Sequence, residues 1–151
     1  MVPETSTRVT GHTAEHINAS IRRQTEENIA RTAAAGPEAI SRRLAELDRE
    51  WDIERALEAN AASMALLGLG VGAFFDHRWF VLPAVVAGFL LQHAVQGWCP
   101  PVPLFRRLGV RTQTEIDEER YALKALRGDF QGLPAGVERA SIGQVIGAVR
   151  R

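Results

Sequence analysis

This 151-residue sequence has one cysteine and a formal net charge of zero. A single cysteine, Cys99, excludes an internal disulfide and a metal site built from cysteines alone. Eighteen basic residues balance eighteen acidic ones, so the chain has no net charge that would attract nucleic acid. Motifs for phosphate binding, for an activated nucleophile and for a metalloprotease histidine pair are also missing. These absences predict a protein that is not an enzyme and holds no cofactor and no metal.

Charged residues are missing from two long runs. Residues 59–75 and residues 79–105 contain no Asp, Glu, Lys or Arg, and only Asp76, His77 and Arg78 separate them. Each run is long enough for the roughly 20 residues that an α-helix needs to cross a bilayer. Trp79 and Trp98 lie roughly 28 Å apart along a helix, which suits aromatic anchors at the two interfaces. The pattern predicts two transmembrane helices.

The alternative interpretation is a pair of helices buried inside a soluble bundle. Helices that are apolar on every side must be covered on every side. The rest of the chain has only narrow apolar stripes, which are too few to cover two such helices, so the membrane interpretation is favoured. Arginines precede the first run and follow the second, whereas the turn contains only Arg78. The positive-inside rule therefore predicts that both termini are cytoplasmic.

The flanking segments have the pattern of amphipathic helices. One helix is predicted for residues 13–35, ended by Gly36 and Pro37, and another for residues 37–60. Thr112 and Glu115 have the spacing of a capping box, which predicts a helix over residues 115–126. The predicted fold class is all-α, a two-span transmembrane helical hairpin flanked by amphipathic cytoplasmic helices. Its predicted parts are a flexible N-terminus (1–12), cytoplasmic helices (13–58), the hairpin (59–98), a juxtamembrane segment and helix (99–131) and a short amphipathic tail (132–151).

Polar residues recur inside the uncharged runs. In an antiparallel pair, Asn60 and Ser63 lie at the depth of His93, Gln96 and Cys99. On the second helix, Gln92, Gln96 and Cys99 share one face, and His93 lies at its margin. Polar groups in hydrocarbon find partners or line a cavity. Hydrogen bonding between the helices is the favoured role of this intramembrane polar cluster, and a transport or catalytic role is the alternative.

Small residues form a second pattern in the same runs. Gly68 and Gly72 form a GxxxG motif whose face Ala65 extends, and Ala84 and Gly88 form a matching ridge on the second helix. Such faces allow helix backbones to approach closely. The pattern fits packing within the hairpin and packing between chains equally well. A hairpin alone buries little surface, so we expect at least one homo-oligomeric contact.

The pattern of several of these residues resembles that of the YgaP-like transmembrane-domain family. Its members are bacterial inner-membrane proteins, and the function of the domain is unknown. The resemblance covers residues 60–109 and rests on Asn60, Gly68, Gly72 and above all Gly97-Trp98-Cys99-Pro100. FRRLGVRT and EIDEERYALKALRGDF resemble a stand-alone subgroup with extended cytoplasmic helices. The resemblance implies a location in the bacterial inner membrane. A known member carries a rhodanese domain that transfers sulfane sulfur, but this sequence has no such domain.

Two functions of different class are predicted from these features. The first is a non-enzymatic scaffold in which the hairpin anchors helices that bind a cytoplasmic or membrane protein partner. The second is a thiol relay, or a conduit for small sulfur species, that uses Cys99. Because two prolines follow Cys99, we expect it at the C-terminal end of a helix, where the helix dipole raises a thiol pKa. The following Pro-Val-Pro segment is expected to be extended. The sequence thus predicts an accessible thiol of ordinary or low reactivity.

Overall fold

Helices make up most of the computed structural model, which describes residues 4–131, 133 and 139–150. No β-strand occurs among those residues, so the all-α class is confirmed. Seven α-helices are present in the described part of the chain: α1 (Glu15–Ala34), α2 (Pro37–Leu47), α3 (Ile53–Phe74), α4 (Val81–Gln96), α5 (Val102–Arg107), α6 (Gln113–Arg127) and α7 (Arg139–Arg150). Short 3-10 turns lie at Thr10–His12 and His77–Phe80.

The chain divides into two compact units. The first comprises Met1–Arg22 and Trp51–Glu115, and the second comprises Arg23–Glu50 and Ile116–Arg151. Each unit has its own cluster of buried apolar side chains. The first cluster is Val9, Ile53, Leu57, Cys99 and Val102, and the second is Ile40, Leu44, Leu47, Ile116 and Leu123. In the first unit, the N-terminal segment contacts α3 and α4, and α5 packs against α3.

The prediction of one continuous helix over residues 37–60 is wrong, because the chain breaks between α2 and α3. The Asp52 side chain caps α3 by accepting a hydrogen bond from the Arg55 N–H at 2.9 Å. The Ile53 N–H donates to the Arg111 carbonyl at 2.8 Å, which fixes the start of α3. The first apolar helix therefore begins before the uncharged run and includes Glu54.

The segment before α1, which was expected to be flexible, packs within the first unit. Val9 is 3% exposed and belongs to the buried apolar cluster. Arg8 donates through Nη2 to Oε1 of Glu54 and through Nη1 to the Ala94 carbonyl, each at 2.8 Å. These contacts connect the segment to α3 and to the last turn of α4.

The predicted capping box of α6 is confirmed. The Thr112 N–H donates to Oε2 of Glu115 at 2.8 Å, and the Glu115 N–H donates to Oγ1 of Thr112 at 3.3 Å. Glu115 also accepts two hydrogen bonds from the buried guanidinium of Arg106, at 2.6 and 2.7 Å. Arg106 lies on α5, so the expectation of an extended segment after Cys99 is wrong. Proline suits the first turn of a helix because its missing N–H has no intrahelical partner there.

The second unit contains a buried carboxylate, that of Glu119 on α6. Arg43 on α2 donates to it through Nε at 2.7 Å and through Nη2 at 3.2 Å. These hydrogen bonds raise the pKa of Arg43 above its ordinary value. The two helices are therefore joined by a bidentate ion pair in addition to the apolar cluster.

Candidate functional site

The faces of α3 and α4 that meet are defined by glycine. A Cβ at Gly68 would lie 2.6 Å from Cδ of Pro83 and 3.0 Å from Cβ of Leu82. A Cβ at Gly72 would lie 2.8 Å from the Phe80 ring. The GxxxG motif therefore packs within the chain, against the start of α4 and the turn before it. This answers the question that the sequence left open for Gly68 and Gly72.

The second small-residue ridge, on α4, is not part of this contact. A Cβ at Gly88 would meet nothing within 4 Å, and Ala84 is exposed. Val81 and Leu91 lie on the same side of α4, and each is 67% exposed. The Ala84 and Gly88 face is thus open, whereas Ala65 on α3 is half-buried.

Two helical segments are long and apolar enough to cross a membrane. They are Ile53–Phe74 and His77–Gln96, and only 17% and 6% of their most apolar windows are buried. A helix in the core of a soluble protein is mostly buried, and these two are not. Large aromatic side chains are exposed at both ends of α3, since Trp51 is 50% exposed and Phe74 is 85% exposed. Arg55 stacks over the Trp51 ring at 4.4 Å.

Where the start of α3 meets the end of α4, three charged or polar side chains form a chain of contacts. His93 on α4 is 2% exposed, and its Nε2 lies 2.8 Å from Oε2 of Glu54 on α3. The second oxygen of Glu54 accepts the hydrogen bond from Arg8. Nδ1 of His93 is buried and has no hydrogen-bond partner among the described residues. We call His93, Glu54 and Arg8 the polar clasp, because they join α4, α3 and the N-terminal segment.

The sequence analysis identified His93 but missed its two partners. Glu54 and Arg8 both lie outside the uncharged runs, and only residues inside those runs were considered. The antiparallel register seen at Gly68 and Gly72, extended by four turns of α3, brings Glu54 to the level of His93. This register comes from the structure, so the sequence alone carried no signal for Glu54. Arg8 had none either, because nothing in the pattern predicts that a polar N-terminal segment returns to the helix ends.

The other members of the predicted polar cluster do not gather around His93. Ser63 donates its hydroxyl to the Ala59 carbonyl at 2.7 Å, a bond within its own helix turn. Gln96 is exposed, and Gln92 is half-buried. Asn60 lines a cavity that Cys99 also lines. The predicted cluster is therefore divided between the clasp, this cavity and the exposed helix surface.

Cys99 is buried, so the prediction of an accessible thiol is wrong. Its side chain is 4% exposed and packs in the apolar cluster of the first unit. It also does not end a helix, because α4 stops at Gln96 and Gly97 adopts the left-handed conformation. Burial raises the pKa of the Cys99 thiol above its ordinary value, the backbone N–H of Val102 lowers it, and the charge of Glu54 raises it. A raised pKa was expected for Cys99, but its main cause is burial of the thiol rather than the helix dipole.

An apolar cavity of about 340 Å³ lies between α3 and α4 beside Cys99. Leu57, Asn60 and Met64 line it from α3, and Val86 and Phe89 line it from α4. Its volume is at the lower end of the range for small-molecule pockets, but only Asn60 and Cys99 give it polar character. The cavity is therefore suited to an apolar occupant rather than to a charged one.

Nothing in the geometry indicates a metal centre. No group of three or more His, Cys, Asp or Glu side chains with metal-binding spacing occurs in the described part of the chain. Comparison with protein-family models, curated proteins and solved structures finds no match to this chain. The function is therefore argued from the exposed apolar helices, the polar clasp and Cys99.

Proposed function

We propose that the protein is a non-enzymatic scaffold of the bacterial inner membrane, anchored by α3 and α4 as a two-span transmembrane hairpin. Both termini are cytoplasmic in this proposal, and the helices outside the membrane bind a protein partner. One observation carries it: few residues in the apolar windows of Ile53–Phe74 and His77–Gln96 are buried within the chain, and hydrocarbon would cover the side chains that are left exposed. The resemblance to the YgaP-like family supports the same location.

Three further features support the proposal. Several arginines flank the hairpin and its turn contains only Arg78, a distribution that the positive-inside rule associates with cytoplasmic termini. The second unit has its own buried cluster, which is more structure than an anchor needs and offers a surface for a partner. The open face of α4 at Ala84 and Gly88 suits a contact between two copies of the chain, so a homo-oligomer is part of the proposal.

Alkaline carbonate washing tests the anchor. We expect the full chain to remain in the membrane pellet, because two apolar helices hold it in hydrocarbon. A periplasmic reporter inserted at His77 should be active, and the same reporter fused after Arg150 should be inactive. Release of the chain into the supernatant would exclude the anchor, and an inactive reporter at His77 would exclude the orientation.

A thiol relay that uses Cys99 is the second candidate function. The cavity beside Cys99 favours it, because an apolar sulfur compound in that space would lie against the thiol. Burial and the raised pKa of Cys99 disfavour it, because the thiolate is the reactive form. The Cys99→Ala variant also distinguishes the two functions. If a stoichiometric protein partner still co-purifies with that variant, the scaffold is supported.

Labelling with N-ethylmaleimide separates the two candidates. In detergent at neutral pH, we expect Cys99 to react at least about tenfold more slowly than Leu104→Cys placed in a Cys99→Ala chain. Leu104 is 59% exposed on α5 and provides the accessible control. The Cys99 rate should rise with pH because its pKa is raised. Fast labelling that is complete at acidic pH, or a persulfide on Cys99 in the purified protein, would favour the relay.

A further inference from the structure

Helix α7 has an apolar face that the described residues of the chain leave partly exposed. Its sequence, RASIGQVIGAVR, places Ile142, Val145, Ile146 and Val149 on one side of the helix. These four side chains are 38 to 47% exposed. Isolated exposed apolar residues are ordinary, but four on one helical face form a continuous strip. The strip is therefore available to bind a partner.

The contacts that attach α7 to the second unit are at the edge of this strip. Ala148 is fully buried, and it lies about one third of a turn or more from the centre of the strip. Lys124 on α6 donates from Nζ to the Val149 carbonyl, in the last turn of α7, where a cation also complements the helix dipole. The described contacts thus hold the helix at one edge and at its C-terminal end, while its Ile and Val side chains remain partly exposed.

The charges of α7 are all of one sign. Arg139 and Arg150 are its first and last residues, Arg151 follows, and the helix contains no acidic residue. An amphipathic helix with cationic ends and an Ile and Val face has the composition of segments that lie in the headgroup region of anionic bilayers.

We propose that the open face of α7 binds an anionic lipid surface. The inference rests on the proposed membrane location, because the hairpin keeps α7 close to a bilayer and so raises its effective concentration there. A second copy of α7 is disfavoured as the occupant. Parallel pairing places Arg150 beside Arg150, and α7 itself has no acidic residue that could pair with the arginines of a second copy. Anionic lipid complements Arg150 and the adjacent Arg151 directly.

Fluorescence of the reconstituted full chain tests this proposal. In a Cys99→Ala background, Ile146→Cys carries an environment-sensitive fluorophore, and Gln144→Cys on the polar face is the matched control. In vesicles of phosphatidylcholine mixed with phosphatidylglycerol, we expect a blue shift and quenching by a bilayer-located quencher at position 146 but not at 144. Arg150→Gln should lower the ratio of bound to free helix about fivefold, and added salt should also lower it.

Several outcomes would overturn the proposal. One is a fluorophore at position 146 whose emission does not shift, in a chain that still floats with the vesicles and still resists carbonate extraction. In that case the hairpin is a membrane anchor, but α7 does not bind lipid. Another is a shift that is equal in pure phosphatidylcholine and grows with protein density, which would assign the face to a second copy. Hydrogen exchange of the α7 backbone in the unmodified chain gives the same comparison without substitutions. Slower exchange in the anionic vesicles than in phosphatidylcholine supports the proposal, and equal exchange contradicts it.

Discussion

Glu115→Gln is expected to lower the free energy of unfolding by about 3 to 5 kcal/mol, the usual cost of leaving one member of a buried ion pair without its partner. The Arg106 side chain is 0% exposed, and both carboxylate oxygens of Glu115 accept hydrogen bonds from it. Its other described acceptors, the Val110 carbonyl and Asn18, are neutral. Glutamine retains the shape of the capping box but removes the charge. Thermal unfolding in detergent, followed by circular dichroism, measures the loss.

Two variants control this experiment. Glu118→Gln on the exposed side of the same helix should change stability by no more than about 0.5 kcal/mol. Combining Glu115→Gln with Arg106→Met removes the unpaired charge, so the double variant should recover part of the stability. If Glu115→Gln alone behaves like the surface control, the buried pair is not a major source of stability.

Acid provides an independent measurement of the same pair. Burial tends to raise the pKa of Glu115, but the hydrogen bonds from Arg106 and from the Thr112 backbone outweigh it, and the folded-state pKa lies below the ordinary value of 4.5. A carboxyl group with a lowered folded-state pKa stabilises the fold above its unfolded pKa. That contribution is lost as the pH falls through the folded-state value. The Glu115→Gln chain should therefore lose less stability than the wild type on acidification.

The helix ends that depend on residues close in sequence were predicted correctly. Thr112 and Glu115 are three residues apart and form the expected reciprocal cap. Gly36 and Pro37 separate α1 from α2 as expected, because a positive φ of 93° suits glycine and proline suits the first helical turn. Gly128 likewise follows the last residue of α6 and has a positive φ of 91°, and three further residues that could break the chain, Gly132, Pro134 and Gly136, lie outside the described residues.

Features that depend on distant residues were not predictable from periodicity. The break before Ile53 requires Asp52 to cap the helix and the Arg111 carbonyl to accept its first N–H. The apolar stripe of Ile40, Leu44, Leu47 and Trp51 does change face at Ile53, but this shift identifies neither the cap nor the distant carbonyl. Cys99 was placed at a helix end from the two prolines after it, but it is buried in a cluster with Val9, Ile53 and Leu57, which are distant in sequence. The N-terminal segment therefore contributes to both the polar clasp and the cluster that contains the thiol.

Gly97→Ala is expected to destabilise the first unit by about 2 to 5 kcal/mol, from two causes that add. Gly97 has φ of +80°, where an L-residue with a Cβ costs about 1 to 2 kcal/mol. A Cβ there would also lie 2.5 Å from the Arg8 carbonyl oxygen, and overpacking against backbone costs about 1 to 3 kcal/mol. Thermal unfolding in detergent measures the total.

Gly109→Ala separates the two causes. Gly109 has φ of +83°, but a Cβ there would meet nothing within 4 Å, so only the conformational cost of about 1 to 2 kcal/mol is expected. The excess destabilisation of Gly97→Ala over Gly109→Ala then reports the contact with the N-terminal segment. Displacing that segment should break the hydrogen bonds of Arg8 to Glu54 and Ala94, so trypsin should cleave after Arg8 faster in Gly97→Ala than in Gly109→Ala. Equal cleavage rates and equal stability in the two variants would show that the segment does not hold the ends of α3 and α4 together.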